Sequence, residues 1–362
     1  MKHACFLAAA AAVALLALAA PANATHTENG LACDDSIETS NTTLTLTADL
    51  VCGQGNQYGL LIAADNVTIN LAGHAVHGPR PTFNGNFEGV AAIVTASAVS
   101  GTEIRGGSGG TGLIDGFYNG VQLTGSDALV KGLGITVENN AVNVLGDGAE
   151  VALNTLQATV PGGGSVLGVF GDNAHVHRNV VTGVGYIAIQ VAADLDPEGA
   201  QDAVSPRVAV NTVQCSPSDF GTPYAILVSG YSGRAIVARN TITDCIGTGI
   251  NIASPTSSGG TFQVRRNQAN GNTDGIHVSE APGSRVWCNE ANGNSGNGIL
   301  VDGTGTRVDA NRANDNTIGY GIYANGATDG GGNTATGNAD DCFGVVCGPP
   351  PDPPCPAAGS GA

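Results

Sequence analysis

Short stretches in which apolar and polar residues alternate return at regular intervals along this chain. Gly249-Ile250-Asn251-Ile252 is one of them, and Ile276, Ile299 and Ile322 hold the same place in the next three. A period of two marks a β-strand with one buried face. A second rhythm lies over the first. Asn267, Asn289, Asn311 and Asn333 are 22 residues apart, and so are Asn272, Asn294, Asn316 and Asn338. A Gly-Ile or Gly-Val pair keeps step with them at Gly275, Gly298, Gly321 and Gly344. Upstream, the beat continues with looser spacing through Asn240, Asn211, Asn179 and Asn154, each three residues after a valine, Val237, Val208, Val176 and Val151. A unit of about 22 to 30 residues cannot bury a core alone, so the pattern predicts an all-β, three-sheet solenoid of stacked coils.

An amide aimed into such a coil would cost roughly 1 to 3 kcal/mol if it were left unpaired. Stacking removes the cost, because each amide can bond to the backbone at its own bend and to its equivalents in the neighbouring coils. The eight asparagines from Asn154 to Asn333 are therefore expected to form a ladder; the competing reading makes them solvent-exposed turn formers. In both readings they are scaffold. Solenoid ends expose strand edges, so residues 25–58 are expected to cap the N-terminal end, with the winding over 59–347. The Pro-rich stretch after Cys347, residues 348–362, reads as an extended or disordered tail.

Residues 1–24 stand apart. Lys2 and His3 precede an apolar run from Ala4 to Ala20, and Ala22-Asn23-Ala24 fits a small-residue cleavage site, so this segment predicts a secretory signal peptide. No later segment is apolar enough to span a bilayer. The expected location is outside the cytoplasm: secreted, or periplasmic or cell-surface. The eight cysteines beyond the signal then read as disulfides. Cys33 with Cys52 would staple the N-terminal cap. Cys215 and Cys245 follow equivalent asparagines of successive coils, and a rung spacing of ~4.8 Å suits a bridge between them. The pairing of Cys288, Cys342, Cys347 and Cys355 stays open.

The whole chain carries 13 basic and 30 acidic residues, a formal charge of −17. That argues against nucleic acid and anionic membrane surfaces as partners. It also disfavours a polyanionic glycan, unless calcium bridges the two.

The Asn-x-Ile/Ala and Gly-Ile-x-Val coils resemble those of the right-handed parallel β-helix superfamily, the pectin-lyase-like proteins. The stretch Asp65-Asn66-Val67-Thr68-Ile69-Asn70-Leu71-Ala72-Gly73-His74 is similar to the first coil of many exported members. The resemblance covers roughly residues 45 to 347. It implies a single-stranded right-handed helix of coils. For function it spans pectate lyases, polygalacturonases, epimerases, phage tailspikes, adhesins and periplasmic proteins that assist copper-enzyme maturation, and fold alone does not choose among them. It implies, for the enzymes, a glycan bound along the outward face of one parallel sheet.

In this sequence the middle residue of each apolar-x-apolar strand supplies that face: Gln122, Asn143, Phe170, Gln190, Leu227, Asn251, His277, Leu300 and Tyr323. Amides among aromatic rings suit a sugar, offering hydrogen bonds to hydroxyls and a flat surface for C–H groups. The expected partner is thus a polysaccharide or cell-surface glycan, either bound only or also cleaved or epimerised. The alternatives are a noncatalytic scaffold or adhesin with a merely solvated face, and a metal-handling envelope protein. One insertion, between Ala188 and Asn211, carries Asp194, Asp196, Glu198 and Asp202, which read either as a calcium site, the one cofactor this chain suggests, or as a solvated acidic loop. Residues 155–167 and 212–223 read as longer turns that wall the opposite side. Asp274, in Asn272-Thr273-Asp274-Gly275, is the candidate catalytic acid, by similarity to polygalacturonases. Its potential partner Asp340 is three coils away, roughly 14 Å, where an inverting hydrolase needs about 6.5 to 9.5 Å. His175 and His177 share one strand face and could hold a transition metal if a third ligand joined them.

Overall fold

The computed structural model describes residues 24–26, 30–79, 91–107, 111–193, 205–215, 223–231, 233–253, 260–279, 281–348 and 355. Each coil of the chain passes through three parallel sheets in turn. The first sheet includes Tyr58–Ile62, Thr248–Ala253, Asp274–Ser279, Ile299–Asp302 and Tyr320–Asn325. The second runs from Ala24–His26 to Thr328–Gly331, and the third includes Ala75–His77, Leu133–Val137 and Gln268–Asn270. Two long strands, Thr155–Phe170 and Val180–Ala192, bend from the third sheet into the first, so those two are hydrogen-bonded without a break. Residues 155–167, expected as a turn, are therefore strand: Gly162 to Gly164 supply the flexibility to round the corner, with a register shift between Ala158 and Gly163. The other expected turn, 212–223, begins with the strand Thr212–Gln214, and residues 216–222 lie outside the described set.

The interior is a column of stacked apolar side chains. Ile250, Ile276, Ile299 and Ile322 are in register with one another and fully buried, as are Val151, Val176, Val208 and Val237. Each buried side chain of this size contributes roughly 1.5 to 3 kcal/mol.

The asparagines do form a ladder. Asn154, Asn179, Asn211, Asn240, Asn267, Asn289, Asn311 and Asn333 are all buried. Along the first seven, each Nδ2 donates to the Oδ1 of the next at 3.0 to 3.2 Å. The same nitrogen donates to a valine carbonyl of the coil behind, Val264 in the case of Asn289. The residue before each ladder asparagine explains why the bend needs this support. Leu153, Arg178, Val210, Arg239, Arg266, Cys288 and Ala310 all have φ between 54° and 60°, a left-handed conformation that costs a non-glycine residue roughly 1 to 2 kcal/mol. Asn272, Asn294, Asn316 and Asn338 form a second ladder, closed by Asp341 Oδ1, which accepts from Asn338 Nδ2 at 3.0 Å. Cys215 and Cys245 occupy the same column below it, and Cys245 N–H donates to Asn272 Oδ1.

Both expected disulfides are present, Cys33–Cys52 and Cys215–Cys245, the latter linking adjacent coils with Cα atoms 4.9 Å apart. The open four pair as Cys288–Cys355 and Cys342–Cys347. The winding begins upstream of Gly59, inside the segment expected to be a separate cap. Asp35–Ile37, Thr42–Thr45 and Leu50–Val51 already pair with strands of the following coil in the first, second and third sheets. These strands lack the Gly-Ile and asparagine repeat, which is why the pattern did not mark them. Residues 1–23, most of the expected signal peptide, and the tail apart from Gly348 and Cys355 lie outside the described set.

Candidate functional site

Register fixes the outward face of the first sheet. Gln122, Asn143, Gly168, Gln190, Leu227, Asn251, His277, Leu300, Tyr323 and Phe343 are paired in succession, one per coil. Nine rung steps at ~4.8 Å make this a strip roughly 43 Å long. Six of the seven residues expected to bind substrate, Gln122, Asn143, Gln190, Asn251, His277 and Tyr323, stand in this one column. Phe170 is the exception: it pairs with Leu145 and Ala192, two residues along the strand, and Gly168 holds its place. The long strand through Gly162–Gly164 shifts the count there. The ring still leans back, since a Cβ on Gly168 would stand 2.8 Å from Phe170 Cε2.

At the C-terminal end the column becomes aromatic. Tyr323 and Phe343 stack with ring centroids 4.9 Å apart and planes 12° from parallel, and Tyr320 closes on them at 5.2 and 6.0 Å. Phe343 is 46% exposed. Offset rings at this distance attract one another, and together they form an aromatic cluster two rungs from His277, whose Nε2 is 3.4 Å from Asp302 Oδ2. Tyr320 and Phe343 escaped the sequence reading. Tyr320 precedes the buried Gly321 and so falls outside the apolar-x-apolar stretch, and Gly344 is not the equivalent of Gly321. In register, Cys342 follows Ile322, so Asp341 takes the glycine's place and Phe343 the outward one.

The polar groups of this column differ from the ladder amides. Asn143 Oδ1, Asn251 Oδ1 and His277 Nε2 have no hydrogen-bond partner among the described residues, whereas the amides of the first ladder, such as Asn289, are bonded at both atoms. Asp274 opens the same strand as His277, three residues before it, and its Oδ1 accepts from the N–H and Nδ2 of Asn297 at 2.7 and 3.2 Å. Asp274, Asn297, Tyr320 and Asp340 follow one another in one column, so the two carboxylates are three rungs apart. A second hollow, about 470 Å³, opens where the third sheet turns into the first, lined by Asp115, Phe117, Thr136, Glu138 and Thr159 among others. Desolvation there pushes the Glu138 carboxyl above its usual range, and Asp115 is 2.7 Å from His77 Nδ1.

His175 and His177 do share an outward strand face, on the second sheet. His177 Nε2 approaches Glu150 at 3.2 Å. Among the described residues no group of three His, Cys, Asp or Glu side chains is placed to hold a metal ion. Asp194, Asp196, Glu198 and Asp202 lie outside the described residues.

Three parallel sheets, internal asparagine ladders and one long outward strip define a parallel β-helix. Residues 208–350 match a family model described as "Right handed beta helix region". No curated protein matches the chain at a significant level. Among solved structures it is similar to the Dettilon tailspike protein (gp208), at 12% identity and a TM-score of 0.46, over 87% of this chain and 60% of that one. It is also similar to the A-module of the Azotobacter vinelandii mannuronan C-5 epimerase AlgE6, at 11% identity and a TM-score of 0.40, over 86% of this chain and 82% of that one. This chain therefore spans three-fifths of the tailspike's length. No helix among the described residues is long and apolar enough to cross a membrane.

Proposed function

We propose that this is an exported β-helix protein that binds a neutral or weakly charged polysaccharide along the outward face of its first sheet, with the aromatic cluster of Tyr320, Tyr323 and Phe343 as its anchor. The observation that carries this reading is the three-ring cluster, half-exposed at Phe343 and continuous with a column of amides and a histidine. A sugar ring offers an apolar C–H face to such rings and hydroxyls to the amides. Export rests on the N-terminal signal pattern and on four disulfides, which persist in oxidising compartments. The reading is one of binding: Asp274 and Asp340, the pair suggested by similarity to polygalacturonases, are too far apart for paired acid–base work on one bond.

The test is retention of the mature protein on a panel of immobilised neutral polysaccharides, with and without calcium, followed by assay for new reducing or unsaturated ends. Tyr323→Ala should weaken retention about tenfold, roughly 1.4 kcal/mol, and His277→Ala should weaken it as well. New ends would convert the reading to catalysis. Retention that neither substitution changes, or no retention at all, would leave a solvated scaffold in its place.

A further inference from the structure

The second sheet carries a charge opposite to that of the whole protein. In register along its outward face stand His175, Arg207, Ile236, Gln263, Arg285 and Arg307. Two residues further along each strand stand Arg265, Trp287 and Asp309, and Arg234 precedes Ile236 by two. The bend that follows adds Arg178, Arg239 and Arg266, each in the left-handed conformation. Eight of the chain's 13 basic residues thus lie on one side of a protein whose formal charge is −17. Trp287, the single tryptophan, lies one rung from the C-terminal end of this strip, with the Arg285 guanidinium 4.7 Å and the Arg265 guanidinium 5.6 Å from its ring.

Among the described residues, carboxylates pair with the strip towards its two ends. Asp309 pairs with Arg285 and Arg307 at one end, and Glu150 pairs with His177 at the other. Between them, the Nε atoms of Arg265 and Arg266 are shielded from solvent and have no hydrogen-bond partner among the described residues. Buried donors without acceptors are uncommon and call for an occupant. The crowding is felt electrostatically: burial first, then Arg266, Arg207, Arg239 and Arg234, lower the readiness of Arg265 to hold its proton. An anion set among these groups would relieve both terms.

We infer that the outward face of the second sheet is a binding site for an acidic polysaccharide, distinct from the first-sheet face and read by the arginines around Trp287. Guanidinium forks take carboxylate or sulfate oxygens two at a time, and the tryptophan offers a sugar ring its one aromatic surface. A nucleic acid fits less well. Single strands are held by successive aromatic platforms, whereas this strip has one, and a dense phosphate chain would meet the strong negative charge of the rest of the molecule. The net charge of the sequence, which argued against a polyanionic ligand, averages over this local reversal.

The experiment uses the full mature chain with EDTA present, over three surfaces that share one backbone: dextran, carboxymethyl-dextran and dextran sulfate. The protein is expected to be retained by one or both charged surfaces, and the choice between them tells carboxylate from sulfate. Retention should fall steeply between about 50 and 200 mM salt, as for contacts that release counterions. The triple substitution Arg207→Gln, Arg234→Gln and Arg265→Gln should reduce it at least about tenfold, while the Arg→Lys triple, which keeps the charge, retains part of it. The effect is read as the excess of retention on the charged surfaces over plain dextran, which separates this site from the first-sheet face. No retention on either charged surface at low salt would overturn the inference. So would retention that needs calcium, retention that the Gln triple does not alter, or stronger competition by single-stranded DNA than by free carboxymethyl-dextran and dextran sulfate.

Discussion

At Asn289 one side chain satisfies four partners. Its Nδ2 donates to Val264 O and to Asn311 Oδ1, and its Oδ1 accepts from both the N–H and the Nδ2 of Asn267. All of these groups are shut away from water, so none can find a substitute. Asn289→Ala should therefore cost roughly 3 to 5 kcal/mol, well beyond a single hydrogen bond, because several buried groups are orphaned together. Urea unfolding of the variant measures it. A loss below about 1 kcal/mol would mean that the bend is held by packing and not by the amide. The neighbouring Cys288, with φ 55°, carries the strain that the amide offsets.

At the level of the strand, the recurring glycine is a steric requirement imposed by the next coil. A Cβ on Gly298 would stand 2.6 Å from Gly321 O, 2.7 Å from Asn316 Nδ2 and 2.8 Å from Ala313 Cβ. None of these is the far end of a flexible side chain. Gly298→Ala should destabilise by roughly 1 to 3 kcal/mol through overpacking, seen as a lower denaturation midpoint. The equivalent position of the last first-sheet strand is Asp341, which lies beside Gly321. No further first-sheet strand stacks on it among the described residues, so a side chain is accommodated.

On the scale of the whole molecule, stability is shared between neighbouring coils and is lowest where a coil has one neighbour. Three of the four disulfides follow this logic: Cys33–Cys52 closes the first coil, and Cys342–Cys347 with Cys288–Cys355 secure the last. Reduction should therefore let amide exchange rise first at Asn333 and Asn338, while Asn211 to Asn267, stacked on both sides, stay protected. Uniform exchange across all coils after reduction would contradict this. The same one-dimensional geometry separates function by side, since a residue's outward direction is set by which sheet its strand joins. Aromatic rings collect on the first sheet and arginines on the second, with the shared core between them.

The sequence by itself determined the solenoid, because the 22-residue beat of Asn289 and its equivalents and the two-residue alternation around Ile276 are local patterns repeated without interruption. It also gave the ladder, two of the four disulfides and six of the seven residues placed in the first-sheet column. What it could not give was register wherever spacing drifts: Phe170 yields its place to Gly168 after a glycine-rich corner, and Phe343 joins Tyr320 and Tyr323 because the final coil pairs through Cys342 and not through Gly344. The arginine strip was likewise hidden, since Arg207, Arg234, Arg265 and Arg285 keep no fixed interval. Only the stacking of coils of unequal length brings them to one face, because contact across a solenoid is decided by strand pairing and not by distance along the chain.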